Sequence, residues 1–482
     1  PYNLIFLNFV TFPLLYLFFI KNYSSSKFLA FSIGWSFGFG YFIFSLHWII
    51  NSLSFDESYK NLMPLALILI PLFLGIFYGI CTLTYSYFNT RLNISSILLF
   101  AITFSIIEFF RGVILGGFPW NLIAYSWTNY ISFLQILSYV GIYSFNLLSI
   151  TIFLTPLFLF INKNKIYKLF LTVGIISLII INYFFGTYTI KNFNKKTQKK
   201  LETKIKIISP KIEIDRYFKQ DSVKLIAKKL IKLSDPKKNE KTIFIYPEGT
   251  FTGIYLTDLN YLSAMFKNNF TNNHKLVLGI TSEEDKKIFN SMVVLNNNLE
   301  LLSKYNKNKL VPFGEFLPFE DLFKKVGIKK ITYGYNSFTP DSKRESINLG
   351  DIKFLPLICY EIIYSGQLNK QKVNFDFILN ISEDGWFGKK IGPTQHFSHS
   401  IFRAIEEGKN IVRSSNNGIS AYINPKGEVI KMIESTQKGV IVINSLRYAE
   451  TTKFSKHGNK IFFYFLIFYI TLIFFLKKKK GT

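Results

Sequence analysis

Cysteine is almost absent from this 482-residue chain. Cys81 falls inside a long apolar run and Cys359 in a polar region, so no disulfide framework is available and Cys359 is expected to be a free thiol. Histidine is scarce too, at five residues. His396 and His399 lie three apart on a predicted helix, but no third ligand accompanies them, and no metal site is expected. Acidic residues are few: 30 Asp and Glu against 57 Lys and Arg give a formal charge of +27. No recognition motif goes with that charge, so nucleic acid is not an expected partner, and anionic lipid head groups suit it better. Lys, Asn, Ile and Phe are all abundant, so a general compositional bias accounts for the charge as readily.

What the chain has is apolar length. Almost half its residues are hydrophobic, 53 of them Phe, and the mean hydropathy is positive, a mixture that a water-soluble globule could not easily hide. Runs long enough to cross a bilayer as helices occur at 3–20, 27–50, 62–87, 94–110, 139–161, 168–187 and 460–476. Between the last two the pattern changes to short β-rich runs alternating with amphipathic segments, as in an α/β domain. The expected organisation is a helical membrane bundle over 1–189, a soluble domain over 190–458, and a final membrane helix with a basic tail over 459–482. The region 189–458 holds 44 basic and 27 acidic residues.

Short cytoplasmic loops collect Lys and Arg. Lys21 and Lys27, then Arg91, then Lys163, Lys165 and Lys168, then Lys477 to Lys480 all fall on one side if the spans alternate. That side is the expected cytoplasm, which places the large domain in the periplasm and Pro1 outside as well. An additional helix upstream of Pro1 is therefore expected. Glu108 and Arg111, near the outer end of a span, are costly in hydrocarbon unless paired, and pairing is expected.

Three strand-like runs of the polar region end in groups capable of chemistry. TIFIY, 242–246, stops at Pro247-Glu248-Gly249; the run 299–305 leads into Lys307; and FLPLI, 354–358, delivers Cys359-Tyr360-Glu361. Free cysteine is only a few per cent thiolate at neutral pH, so a nucleophilic Cys359 needs a base, for which a carboxylate serves. A lysine ammonium, with the backbone N–H after the nucleophile, can stabilise an oxyanion. Cys, Glu and Lys thus suffice for acyl transfer through a thioester. Each has an ordinary alternative: a lone cysteine as inert core, Glu248 as an exposed turn residue, and Lys307 as one of three close lysines with Lys304 and Lys309, among which spacing does not choose.

At these residues the sequence resembles the apolipoprotein N-acyltransferase family, a membrane branch of the nitrilase (carbon–nitrogen hydrolase) superfamily. The resemblance is carried by YPEGT at 246–250, YNKNKLVPFGEFLPF at 305–319, ICYEIIY at 358–364, NISEDGWFG at 380–388, GPTQH at 392–396 and RSSNNGISAYINPKG at 413–427, in the family's order. It extends to FRGVILGGFPWNLIAYS at 110–126, similar to a loop of the family's membrane part. The resemblance implies an αββα sandwich, with Glu248, Lys307 and Cys359 as catalytic residues. It further implies supporting roles for Glu315, Tyr360, Glu361, Trp386 and Phe387, and puts Tyr217 where the family tends to carry tryptophan. For the aromatic residues packing is the alternative, and for Glu361 a solvated ion pair. The family has eight spans against the seven read here, in line with a helix upstream of Pro1.

The implied reaction moves an acyl chain from a phospholipid donor, through a thioester on Cys359, to the N-terminal amine of a diacylated apolipoprotein, without a cofactor. The enzyme is expected to act as a monomer in the inner membrane. Both substrates are lipid-anchored, so a mouth open to the bilayer is expected near Phe118, Pro119 and Trp120. The alternative enzyme is a membrane-tethered amidase using the same three residues; the alternative without activity is a scaffold, which need not have kept all three.

Overall fold

The computed structural model describes residues 4–22, 26–88, 91–217, 223–318 and 337–478. Among them, six helices are long and apolar enough to cross a membrane: Ile5–Asn22, Lys27–Leu53, Glu57–Ser86, Ile94–Arg111, Lys165–Asn194 and Lys460–Lys478. These match six of the seven hydropathy runs. The exception is 139–161, where the 17-residue helix Leu137–Phe153 is followed by a 3-10 helix, Thr155–Phe160. The longer piece is itself broken at Gly141, with φ 70° and ψ 172°. Glycine adopts this backbone freely, and a Cβ here would run into the Phe454 ring. Hydropathy does not register such a break because the residues on both sides stay apolar.

Small residues let the bundle close up. Gly34 and Gly38 of one helix face Tyr78 and Gly75 of the next, and any side chain on Gly34 would strike the Tyr78 backbone. Glu108 and Arg111 pair at 3.3 Å, both fully buried. Tyr78 and Asn146 also donate to Glu108, which leaves none of this charge facing lipid alone.

The helix Lys165–Asn194 runs five residues past the boundary expected at 189 and feeds, among the described residues, twelve strands. They are β1 Lys199–Ser209, β2 Thr242–Ile245, β3 His274–Glu284, β4 Lys287–Leu295, β5 Leu301–Asn306, β6 Ile347–Asn348, β7 Lys353–Ile358, β8 Phe377–Glu383, β9 Asn410–Asn416, β10 Ser420–Ile423, β11 Val429–Ile433 and β12 Gly439–Leu446. One sheet runs β12-β1-β2-β3-β4-β5 and the other β11-β10-β9-β8-β7-β6. In each the central strands are parallel: β1, β2 and β3 in the first, β7, β8 and β9 in the second.

Alternation along the strands builds two cores. In β2 Ile243 and Ile245 face the other sheet, while Phe244 turns outward to meet Ile226 and Leu230 of the helix Val223–Ser234. The opposite outer face is covered by the helix Ile391–Glu407, 13 of whose 17 residues are buried. That burial is high for an amphipathic helix because this one is wedged between the second sheet and the bundle. The result is the expected four-layer αββα sandwich, joined to the membrane helices along Ile391–Glu407.

Candidate active site

The carboxyl ends of two parallel strands, β2 and β7, and of the antiparallel strand β5 meet here. Glu248 follows β2 in the Pro-Glu-Gly turn, Lys307 directly follows β5, and Cys359 directly follows β7. Gly249 has φ 53°, and a side chain there would collide with the Tyr217 hydroxyl, so this turn needs glycine. Glu248, Lys307 and Cys359 are 7%, 1% and 4% exposed.

Lys307 Nζ donates to Glu248 Oε1 at 3.3 Å and to Glu315 Oε1 at 2.9 Å. Asn290 Nδ2 bridges the same two carboxylates at 2.8 and 2.6 Å, and the Glu383 N–H donates to Glu248 Oε2 at 2.9 Å. Burial opposes the charge on Lys307, but Glu248 and Glu315 outweigh it and hold the ammonium well above the ordinary lysine range. Burial, reinforced by the negative Glu248, pushes the Cys359 thiol well up, with Lys307 pulling the other way. The resting site therefore holds a thiol beside a carboxylate and an ammonium, and the thiol must lose its proton to react.

The three groups open on one cavity of about 490 Å³. Its far wall belongs to the bundle, with Trp48, Leu62, Leu65 and Leu69, and the membrane loop contributes Phe118 and Trp120. Arg111 fixes that loop: its backbone carbonyl accepts from Phe118 N at 2.8 Å and its Nη1 donates to Phe118 O. Trp120 and Trp48 both donate through Nε1 to Gln395 Oε1, at 2.8 and 2.9 Å, so one amide of the catalytic part holds two bundle indoles.

The supporting residues divide. Glu315, Tyr360, Trp386, Phe387, Tyr217 and Trp120 line the cavity. Tyr360 reaches across to Gly117 O at 3.2 Å, and Tyr217 packs on Trp386 with ring centroids 5.1 Å apart. Glu361 faces the other way and is fully buried rather than solvated. Its carboxylate accepts from the backbone of Ile358, Asn308 and Lys309, from Tyr305, and from Arg344 at 2.5 Å, stapling the turn after β7 to the turn after β5.

Several neighbours carried no signal in sequence reading. Asn290 sits on an ordinary alternating strand, and Arg216 beside Tyr217 pairs with Glu383 at 2.6 Å behind the site. Cys359, Asp384 and His396 place potential ligand atoms within 4.8 Å of one another. The Arg413 guanidinium already lies 2.8 Å from Asp384 and 3.0 Å from His396, so a cation of the protein engages two of these three donors. His399 turns away to pack on Tyr125 and Trp120.

Two family models match the chain: an apolipoprotein N-acyltransferase N-terminal domain over residues 1–152 and a carbon-nitrogen hydrolase over residues 234–452. An apolipoprotein N-acyltransferase from Rhizobium rhizogenes is 30% identical over 461 residues, covering 92% of this chain and 85% of that protein. One from Agrobacterium fabrum is 30% identical over 456 residues, covering 92% and 84%. Among solved structures, a CN-hydrolase superfamily protein from Xanthomonas campestris aligns with TM-score 0.37 and 13% identity, over 52% of this chain and 91% of that one. An amidase from Nesterenkonia sp. AN1 aligns with TM-score 0.37 and 14% identity, over 52% and 92%.

Proposed function

The chain belongs to the apolipoprotein N-acyltransferase family, and from that membership we infer how its residues perform lipoprotein N-acylation. It is a multi-pass membrane acyltransferase of lipoprotein biosynthesis. Its catalytic part, 190–458, sits on the periplasmic side of the inner membrane, and it works as a monomer. The donor is a phospholipid and the acceptor a diacylated apolipoprotein.

Glu248 takes the proton of Cys359, and the thiolate attacks the ester carbonyl of a phospholipid acyl chain. The negative charge then forming on the carbonyl oxygen is stabilised by the Lys307 ammonium and by the backbone N–H after the nucleophile. When the C–O bond breaks, Glu248 returns its proton to the departing lysophospholipid, leaving a thioester on Cys359. The amine of the acceptor's N-terminal cysteine attacks this thioester, Glu248 accepts a proton from nitrogen, and the Cys359 thiol is regenerated as the amide forms. Glu315 and Asn290 keep Lys307 and Glu248 in register through both steps.

One observation carries this reading: the thiol, carboxylate and ammonium share their cavity with apolar side chains of the membrane helices. An acyl chain can therefore lie along the bundle while its carbonyl meets the sulfur, and the mouth opens beside Phe118 and Trp120. Mass spectrometry of the protein purified from membranes tests it. A fatty-acyl adduct on Cys359, released by hydroxylamine and absent from Cys359→Ser, is the expected result, and an unmodified Cys359 in protein that is turning over would overturn it. Supplying phospholipid and a diacylated peptide separates transfer from hydrolysis, since acylated peptide marks the first and free fatty acid the second.

A further inference from the structure

Cys359 has φ 51°, in the left-handed region that a cysteine resists because its Cβ crowds the backbone. Such a conformation persists only where neighbours hold it. Two side chains hold the Cys359 carbonyl: His396 Nε2 at 3.2 Å and Asn380 Nδ2 at 3.4 Å. A carbonyl oxygen can only accept, so the proton of His396 is on Nε2. The other ring nitrogen, Nδ1, lies 3.0 Å from Arg413 Nη2, which can only donate, and 2.9 Å from Asp384 Oδ1, which accepts; burial disfavours a second proton on the ring, so with Nε2 protonated Nδ1 is left as the acceptor facing Arg413. Asp384 anchors the guanidinium at 2.8 Å. Arg413 Nη1 also donates to Asn380 Oδ1, which leaves the amide NH₂ turned to the Cys359 carbonyl. One buried guanidinium thus contacts both donors. Trp120 stacks on the imidazole at 5.2 Å and 22°, opposing rotation of the ring.

The carbonyl of Cys359 and the N–H of Tyr360 belong to one planar peptide, so fixing the first fixes the second. A hydrogen bond to the carbonyl also polarises that N–H, making it a stronger donor. We propose that His396, its ring held between Arg413 and the Cys359 carbonyl, is a positioning residue: it holds the Cys359–Tyr360 peptide so that the sulfur faces the acyl carbonyl and the Tyr360 N–H meets the developing oxyanion. This rests on Cys359 being the acyl carrier. His396 touches neither substrate nor sulfur in this role, and it neither gains nor loses a proton during turnover.

The test measures single-turnover formation of the Cys359 thioester from phospholipid by the full-length enzyme in detergent, with phospholipid concentration varied. In His396→Gln the amide nitrogen falls near the position of Nε2, and the rate stays within about fivefold of wild type. In His396→Asn the amide nitrogen falls near Nδ1 and cannot reach the carbonyl; the maximal rate drops by roughly a hundredfold while the phospholipid concentration for half-maximal rate is unchanged. Equal rates in the two variants, both high or both low, would overturn the proposal. Should His396→Asn not fold, wild-type chain made with 2-fluorohistidine decides: its rings keep the N–H but resist protonation near neutral pH, so a rate near wild type supports a neutral donor and a lost rate overturns it. Absence of any Cys359 adduct in wild type would instead sink the thioester reading on which this rests.

Discussion

The Ile142 N–H of the kinked bundle helix donates to Glu406 Oε1 at 2.7 Å, so a carboxylate of the α/β domain caps a helix of the membrane bundle. The break at Gly141 makes Ile142 the first residue of a new helical segment, whose N–H groups lack partners in their own helix. Ser365 donates to the same carboxylate at 2.9 Å, and Arg403 lies 2.7 Å from it.

Burial of Glu406 makes the stability of the protein depend on pH. Burial pushes Glu406 up to about 7 despite the opposing pull of Arg403. The folded state then binds its proton more tightly than the unfolded chain, so the contribution to stability is full below about 4.5 and is lost as pH rises toward 7. A shift of this size corresponds to a few kcal/mol, on the order of 3. Melting followed from pH 5 to pH 8 should show the midpoint falling, and Glu406→Gln should flatten that trend.

Glu361 is a staple, and its loss should register first in stability. Removing it in Glu361→Ala strands the buried Arg344 guanidinium and three backbone N–H groups, at a cost of about 3–5 kcal/mol. Thermal melting in detergent should show the drop, larger than that of Glu315→Ala at the cavity wall.

Glu248→Gln separates the base from the electrostatics. Acyl-enzyme formation should fall by roughly 10²–10⁴ because no group remains to take the proton. The negative charge that helps hold the Cys359 thiol up is removed at the same time. Alkylation of Cys359 by iodoacetamide should therefore shift to lower pH even as catalysis is lost; an unmoved profile would show that Glu248 does not act on this sulfur.

Trp120 links loop, amide and imidazole. Trp120→Phe keeps a ring against Tyr360 and His396 but loses the bond to Gln395, whereas Trp120→Ala loses both. Turnover with phospholipid should fall in two steps, modestly for Phe and much further for Ala. Equal turnover in all three would remove the role proposed for this loop in admitting lipid.

The spans, the strand ends and the turn at Glu248 were legible in the sequence because each is written within a short window, as an apolar run of bilayer length or as Pro and Gly closing a β-rich run. Lys307 was not separable from its neighbours by spacing. Folding separates them: Lys304 turns out to Glu284, Lys309 lies over the Tyr364 ring, and Lys307 is sealed between Glu248 and Glu315. The break at Gly141 was hidden for a related reason, since the carboxylate that satisfies it lies 264 residues away.

By itself, then, the sequence determined six stretches long and apolar enough to cross a membrane, where the strands stop, and which residue types stand at those stops, because hydropathy and turn chemistry act between residues close along the chain. Only the tertiary structure decided that Asn290 bridges two acids, that Gln395 holds two indoles, and that Arg413 contacts both His396 and Asn380 behind the Cys359 carbonyl. A buried polar group must find its partner wherever packing brings one, and no local pattern records a partner supplied by another sheet or by the bundle.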